Sequence, residues 1–266
     1  MAPSLASKAL QATGVLTFFG VASFTVWTKH SHFSAPAAFN PSTDPLFQSE
    51  WVRKFNPGNH AATYDECVRR IGLQKIKPEL VEDARNGGSK LLEEFVRGVW
   101  GGPGYTVQRL YLQRKYRNDT TTAHQLWTVP QLTSSDYAPD TQITDHFVVL
   151  AKTPTSVLIR CGDSPLKNPD APRQSDGLFE MCATVNPDEG YAEFRLKSIF
   201  YSGDQSWGGE KGERKQIEGT GSSDGGSENT GVETWANRGP MQGTMWYAHK
   251  LYTKLWMESA LSRVKR

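Results

Sequence analysis

The first 43 residues of this 266-residue chain contain no aspartate or glutamate; the first acid is Asp44. Cysteine is nearly as scarce. Cys67, Cys161 and Cys182 are the three, an odd number without paired spacing, which argues against a disulfide framework. Three scattered thiols also cannot close a structural zinc site. No G-x-S-x-G elbow, Walker loop, HExxH pair or GxGxxG followed by an acid occurs, so neither a cofactor nor a metal is expected. The run GVWGGPG at 98–104 is a poor phosphate cradle, because no strand precedes it and Pro103 lacks an N–H; it reads as a helix-breaking turn. Thirty cations against 28 acids leave a net charge of +2, and no zinc-finger, RNP or basic-zipper pattern is present, so nucleic acid is not an expected partner. What the chain does have is apolar mass: 37% hydrophobic residues and eight tryptophans, enough for a packed core.

The uncharged stretch 9–28, ALQATGVLTFFGVASFTVWT, is about the length a tilted helix needs to span a bilayer. Trp27 ends it where interfacial aromatics sit, with Lys29 and His30 following. Residues 1–30 are therefore read as an N-terminal anchor helix, a cleaved presequence and a soluble amphipathic helix being the alternatives. Membrane attachment, at the endoplasmic reticulum or a mitochondrion, is the corresponding expectation. Residues 31–58 carry Pro, Ser and Ala with a few aromatics and read as a linker; residues 59–266 read as the globular domain.

Within that domain, 62–73 suits a strand. A helix begins near Pro78 and breaks at Gly87-Gly88, and a second, with Ser89 as a candidate cap, carries Leu91, Leu92, Phe95, Val96 and Val99. Residues 106–117 suit a helix or a strand. From about residue 122 the period becomes two, giving strand candidates at 124–129, 142–152, 156–161, 177–185 and 191–202. NPDEG at 186–190 joins the last two as a hairpin. Residues 203–231 form a Gly/Ser/charge-rich loop, and a long helix is predicted over about 240–264, with Met241, Met245, Ala248, Tyr252 and Leu255 on one stripe.

The stretch VLIRCGDSP at 157–165 raises the question of a nucleophile. Alternation puts Val157, Ile159 and Cys161 on one face and Arg160 on the other, and Asp163-Ser164-Pro165 reads as a turn. Asp145 and His146 are the stronger candidates. They are neighbours in a predicted strand, so only one of them can enter the interior as a lone polar group among apolar side chains, where its pKa would shift; a solvent-side or strand-paired polar residue is the alternative. Arg160, Glu180 and Arg195 fit a cross-strand charge ladder. Facing is uncertain by one residue, a slip that exchanges inside and outside.

The order of strand, two helices, antiparallel strands and a C-terminal helix over roughly 61–262 resembles the helix-grip fold of START-related proteins, including polyketide cyclases. The strings ITDHFVVLAKTPTSVLIRCGDSP, SDGLFEM and FRLKSIFYSG are also similar to uncharacterised fungal proteins, some encoded near secondary-metabolite pathways. The resemblance implies an α+β fold in which a curved antiparallel sheet wraps the last helix around an apolar cavity. It implies a hydrophobic small-molecule substrate and a cyclase or isomerase closing a ring in a polyketide or terpenoid intermediate, conceivably by a pericyclic, Diels–Alder-type step, chiefly by confinement. Asp145 and His146 would be the catalytic groups. Arg160, Phe179, Met181, Phe194 and Tyr252 would bind substrate. A membrane-tethered lipid or sterol binder and a mitochondrial assembly factor are the alternatives.

Overall fold

A computed structural model describes residues 20, 22–203 and 239–266. The chain is α+β, built on one seven-stranded, wholly antiparallel sheet. Its strands are β1 (His32–Phe33), β2 (Thr63–Gly72), β3 (Gln142–Ile143), β4 (Phe147–Lys152), β5 (Ser156–Gly162), β6 (Asp176–Asn186) and β7 (Tyr191–Tyr201), in the order β1-β2-β7-β6-β5-β4-β3. β3 to β7 form a meander. β2, made much earlier in the chain, closes against β7 with Asp65 opposite Ser198 and Cys67 opposite Leu196. The β6–β7 hairpin turns within 186–191, as the NPDEG run predicts.

The helices are α1 (Glu50–Phe55), α2 (Pro78–Arg85), α3 (Lys90–Gly101), α4 (Thr106–Tyr116), α5 (Val129–Ser134) and α6 (Gly243–Ala260). α3 lies at the centre of the inner core: Leu92, Phe95, Val96, Val99 and Trp100 are completely buried. Phe95 meets Phe194 of β7 at 5.0 Å between ring centroids. Ser89 is the N-cap residue of α3, its carbonyl accepting from the Glu93 N–H at 2.9 Å, but its side chain accepts no backbone N–H. The Asp83 carboxylate accepts from the Lys90 N–H at 2.9 Å, and the Ser89 hydroxyl donates to Glu93. The strand predicted over 124–129 is instead a bridge at Leu126 followed by α5. Thr128 and Gln131 form a capping box there, and Pro130 sits in its first turn, which starts a helix. α6 has 18 residues, shorter than the predicted 240–264, and packs beside α3.

The GVWGGPG run has a packing role. A Cβ on Gly98 would lie 2.4 Å from the Ala260 carbonyl oxygen, and one on Gly104 would lie 2.6 Å from the Ser259 hydroxyl. These glycines let α3 and the turn after it approach the C-terminal end of α6 to backbone contact.

Residues 31–58, expected as a linker, are a structured strap on the opposite face of the sheet. β1 pairs with β2. Asp44 caps the short 3-10 helix Pro45–Gln48, and Ser49 caps α1. Phe39, Leu46 and Phe55 are buried there with Tyr64, Leu158, Leu178, Ile199 and Tyr201, making a second apolar core. The strap's start is also fixed, the Ser31 hydroxyl donating to the buried Glu258 of α6 at 2.8 Å. Residues 22–28 are helical. Most of the expected anchor (1–30) and nearly all of the Gly/Ser-rich segment 203–231 lie outside the described residues. Among the described residues no helix is long and apolar enough to cross a membrane.

Gly98→Ala tests the α3–α6 contact. Alanine gains about 1 kcal/mol over glycine within a helix, but overpacking against backbone costs about 1–3 kcal/mol. Chemical denaturation is expected to show a net loss of up to about 2 kcal/mol; a gain would mean the contact yields freely.

A candidate ligand pocket and its acid–base groups

Where α6 leaves the sheet, a pocket of about 260 Å³ opens between them. Phe179 of β6, Phe200 of β7, Cys161 of β5 and Phe147 of β4 line its sheet side, with Tyr252 and Trp256 of α6 opposite. Trp256 closes its floor by edge contacts with Phe179 (5.5 Å), Trp100 (5.4 Å) and Tyr252 (5.0 Å). The apolar wall follows from alternation. Phe179 and Phe200 are inward-facing residues of their strands, and Gly177 between them is kept small because a Cβ would lie 2.6 Å from the Ile199 carbonyl.

Into this apolar space come a few polar groups. His249 of α6 lines the pocket, and its Nε2 lies 3.3 Å from both carboxylate oxygens of the buried Asp65 on β2. Nε2 also lies 3.3 Å from the Thr253 hydroxyl, and a neutral ring that donates Nε2–H to Asp65 carries its acceptor at Nδ1. The ring is held in plane by a stack on Trp246 (5.3 Å, 11°) and by the edge of Phe200 (5.2 Å). Ser198, directly across the β2–β7 pair from Asp65, lines the same pocket, and its buried hydroxyl has no hydrogen-bond partner among the described residues. Asp65 Oδ2 also lacks a hydrogen bond of good geometry. A buried hydroxyl left unsatisfied costs about 1–3 kcal/mol, so Ser198 is available to hydrogen-bond a molecule in the pocket. The Tyr252 hydroxyl donates to Gln108 of α4 at 2.9 Å, and burial pushes its pKa up to about 12. It serves as a neutral hydrogen-bonding group there.

The expected site residues divide. His146, Phe179 and Tyr252 line the pocket. Asp145 and His146 are not in a strand; with Thr144 they form the turn between β3 and β4, and both Thr144 (φ 46°) and Asp145 (φ 69°) are in the left-handed region. The opposite-face argument therefore fails, because the strand it needs is interrupted. Asp145 turns away from the pocket, accepting from the Ser164 hydroxyl at 2.9 Å and lying 3.3 Å from His146 Nδ1. Burial alone would raise its pKa, but the neighbouring His146 and the hydrogen bond from Ser164 outweigh burial and hold it below the usual carboxylate range. His146 rests against Tyr116, 4.5 Å between ring centroids.

Arg160, expected to bind substrate, does not line this pocket. It lies on the far face, 1% exposed, with its guanidinium 2.7 Å from Asp176 and 3.5 Å above the Phe55 ring, donating to the Pro169 and Ala171 carbonyls. It fastens the strap and the turn after β5. Met181 and Phe194 face inward, but they are fully buried in the inner core, Phe194 against Phe95 of α3, and do not line the pocket. The outer-face charges pair differently from the expected ladder: Glu180 with Lys197, and Arg195 with Glu66 and Glu193. Cys161 borders the pocket, but burial pushes its thiol up to about 12, so it stays protonated and is no nucleophile.

Sequence pattern did not single out Asp65, Ser198 or His249. The signal was present for two of them: Ser198 interrupts the apolar series Phe194, Leu196, Phe200, and Asp65 shares its phase with Cys67 and Ile71. Nothing local marks His249, whose partner is 184 residues away. Among the described residues no group of three or more His, Cys, Asp or Glu is placed to hold a metal ion. The chain matches no family model, no curated protein and no solved structure.

Two measurements check these assignments. Asp176→Ala leaves the Arg160 charge buried without a partner and is expected to cost about 3–5 kcal/mol in chemical denaturation; a cost under 1 kcal/mol would show the pair is dispensable. Asp145 has a folded-state pKa below its unfolded value near 3.9, so its stabilisation is complete above that value and is lost as pH falls through the folded pKa. Asp145→Asn should therefore lower stability at pH 7 and narrow the gap to wild type below about pH 4; parallel pH–stability curves would contradict the assignment.

Proposed function

We propose that the pocket takes a small hydrophobic molecule carrying one carbonyl or hydroxyl group, and that the protein is an isomerase- or cyclase-type enzyme acting on it through its own side chains. The observation that carries this reading is that His249, paired with Asp65, and the Ser198 hydroxyl, unpartnered among the described residues, line one largely apolar pocket. His249 Nδ1, with Nε2 held by Asp65, is arranged to take a proton from a carbon next to the substrate carbonyl. Ser198 donates to the carbonyl oxygen as negative charge develops there, and His249 returns the proton at a second carbon, so the reaction balances without an added reactant. His146 on the rim is a second polar contact. At about 260 Å³ the pocket is below the usual 300–1,000 Å³ of small-molecule clefts. It therefore suits a compact molecule, or the reacting end of a longer polyketide or terpenoid.

The order strand, helices, antiparallel meander and C-terminal helix, with the first long strand closing on the last, supports kinship with the helix-grip, START-related proteins. α3, rather than the C-terminal helix, occupying the middle of the inner core is a departure from that pattern. A second reading, a non-catalytic lipid or sterol carrier, is favoured by the aromatic lining alone. A role in fungal secondary metabolism and an N-terminal membrane anchor belong to the same proposal.

The test is metabolite profiling of a strain lacking the gene, complemented with variants. His249→Gln and Asp65→Asn are each expected to reduce product formation by about 10²–10⁴-fold, with His146→Ala milder. An unchanged metabolite profile on deletion, together with a co-purifying lipid, would replace the enzyme reading with the carrier.

A further inference from the structure

Ten large apolar side chains are exposed among the described residues, and six of them lie on two helices: Val107, Leu110 and Tyr111 on α4, and Met245, Tyr247 and Leu251 on α6. Val107 is 80% exposed and Tyr247 64%. On α4 the three fall at i, i+3 and i+4, the spacing of a single stripe, and Tyr247 and Leu251 are four apart on α6. The helices meet at the pocket rim through the Gln108–Tyr252 hydrogen bond, with Tyr111 three residues from Gln108 and Leu251 next to Tyr252. Charge is equally one-sided. α4 and its C-cap carry Arg109, Arg114, Lys115 and Arg117 with no acid; α6 carries Lys250 and Lys254, and its one acid, Glu258, is 3% exposed. Most other cations of the domain, such as Arg69, Arg97, Arg195 and Lys197, are paired with carboxylates. Among the described residues these six have no ion pair, although the net charge of the whole chain is only +2.

We propose that the α4–α6 face docks on an anionic lipid surface, independently of the N-terminal segment. Exposed apolar and tyrosine side chains flanked by unpaired Arg and Lys are the composition of a helix lying in the membrane interface. Each basic residue near an anionic leaflet contributes about 1 kcal/mol. A protein partner of ordinary kind would need acids across from six cations and an apolar ridge in one place; a leaflet supplies both over any area. Docked this way, the pocket rim formed by Gln108 and Tyr252 sits at the lipid boundary, so an apolar ligand can pass between bilayer and pocket.

The experiment uses the full chain with a single fluorophore at Leu110→Cys, at Leu251→Cys or, as a control, at the exposed Asp170→Cys. The native thiols are largely buried, and their raised pKa values keep them slow to label. With vesicles of phosphatidylcholine containing 30% phosphatidylserine, the labels at Leu110 and Leu251 are expected to become shielded from an aqueous quencher while the Asp170 label stays open. Arg114→Glu with Lys115→Glu should weaken that shielding by at least roughly 25-fold in lipid concentration, about fivefold per charge removed. Protein that floats with vesicles while both labels stay fully quenchable would overturn the proposal, leaving attachment to the N-terminal segment. So would labels shielded before vesicles are added, which would mean that part of the chain or a second copy covers the face. Equal shielding on pure phosphatidylcholine would overturn the choice of an anionic surface.

Discussion

The seating of Trp100 governs this structure. It is the last large residue of α3, completely buried, and its ring meets Tyr105, Phe147, Phe179 and Trp256 at 4.8–6.5 Å. Those partners come from the turn after α3, from β4, from β6 and from α6. A single indole thus joins the helix over the sheet, two strands and the C-terminal helix, and edge-to-face contacts fix angles as well as distances. The approach of α6 at Gly98 and Gly104 brings Trp256 to this cluster, and Trp256 in turn is the floor of the pocket.

The pocket begins where that aromatic packing ends. Along β7 the inward positions run Phe194, Leu196, Ser198 and Phe200; along β2, Ile71, Arg69, Cys67 and Asp65. Towards one end the inner face is filled by α3, and towards the other the side chains become polar and face empty space. Arg69 shows how a charge on this face is handled within the packed part, meeting Glu258 of α6 at 2.8 Å. Among the described residues Asp65 meets only a histidine, and the Ser198 hydroxyl has no partner. The same sheet surface is core at one end and pocket wall at the other, and the difference is made by how far each helix reaches.

How much was legible in the sequence follows from the range of each interaction. Period-two alternation located β5, β6 and β7 within a residue or two, because Phe179 and Phe194 alternate with Glu180 and Arg195 over 11-residue strands. The mixed pattern at 142–152 hid the turn at Thr144–Asp145: both residues take left-handed conformations there without a glycine to announce them. The strap at 31–58 read as a linker because its proline and serine serve as caps and turns, while its buried aromatics are too widely spaced to show a period. Within the candidate site, His146, Phe179 and Tyr252 were accessible from pattern. Asp65 and His249 were not paired by it, since what makes them a pair is the closure of β2 on β7 and the placement of α6.

That closure also sets an order of assembly. Asp65 and Ser198 are directly opposed in the sheet yet separated by 133 positions in the chain (198 − 65). At ribosomal speeds of 5–20 residues per second, β2 leaves the ribosome on the order of ten seconds before the strand it needs exists. β3 to β7 can pair as each hairpin is made, but β2 waits with its inward Cys67 and Ile71 exposed, with the adjoining α2 and α3 as its nearest shelter. Half of the Asp65–His249 pair is therefore among the first parts of the domain to be synthesised, and its geometry is among the last to be completed.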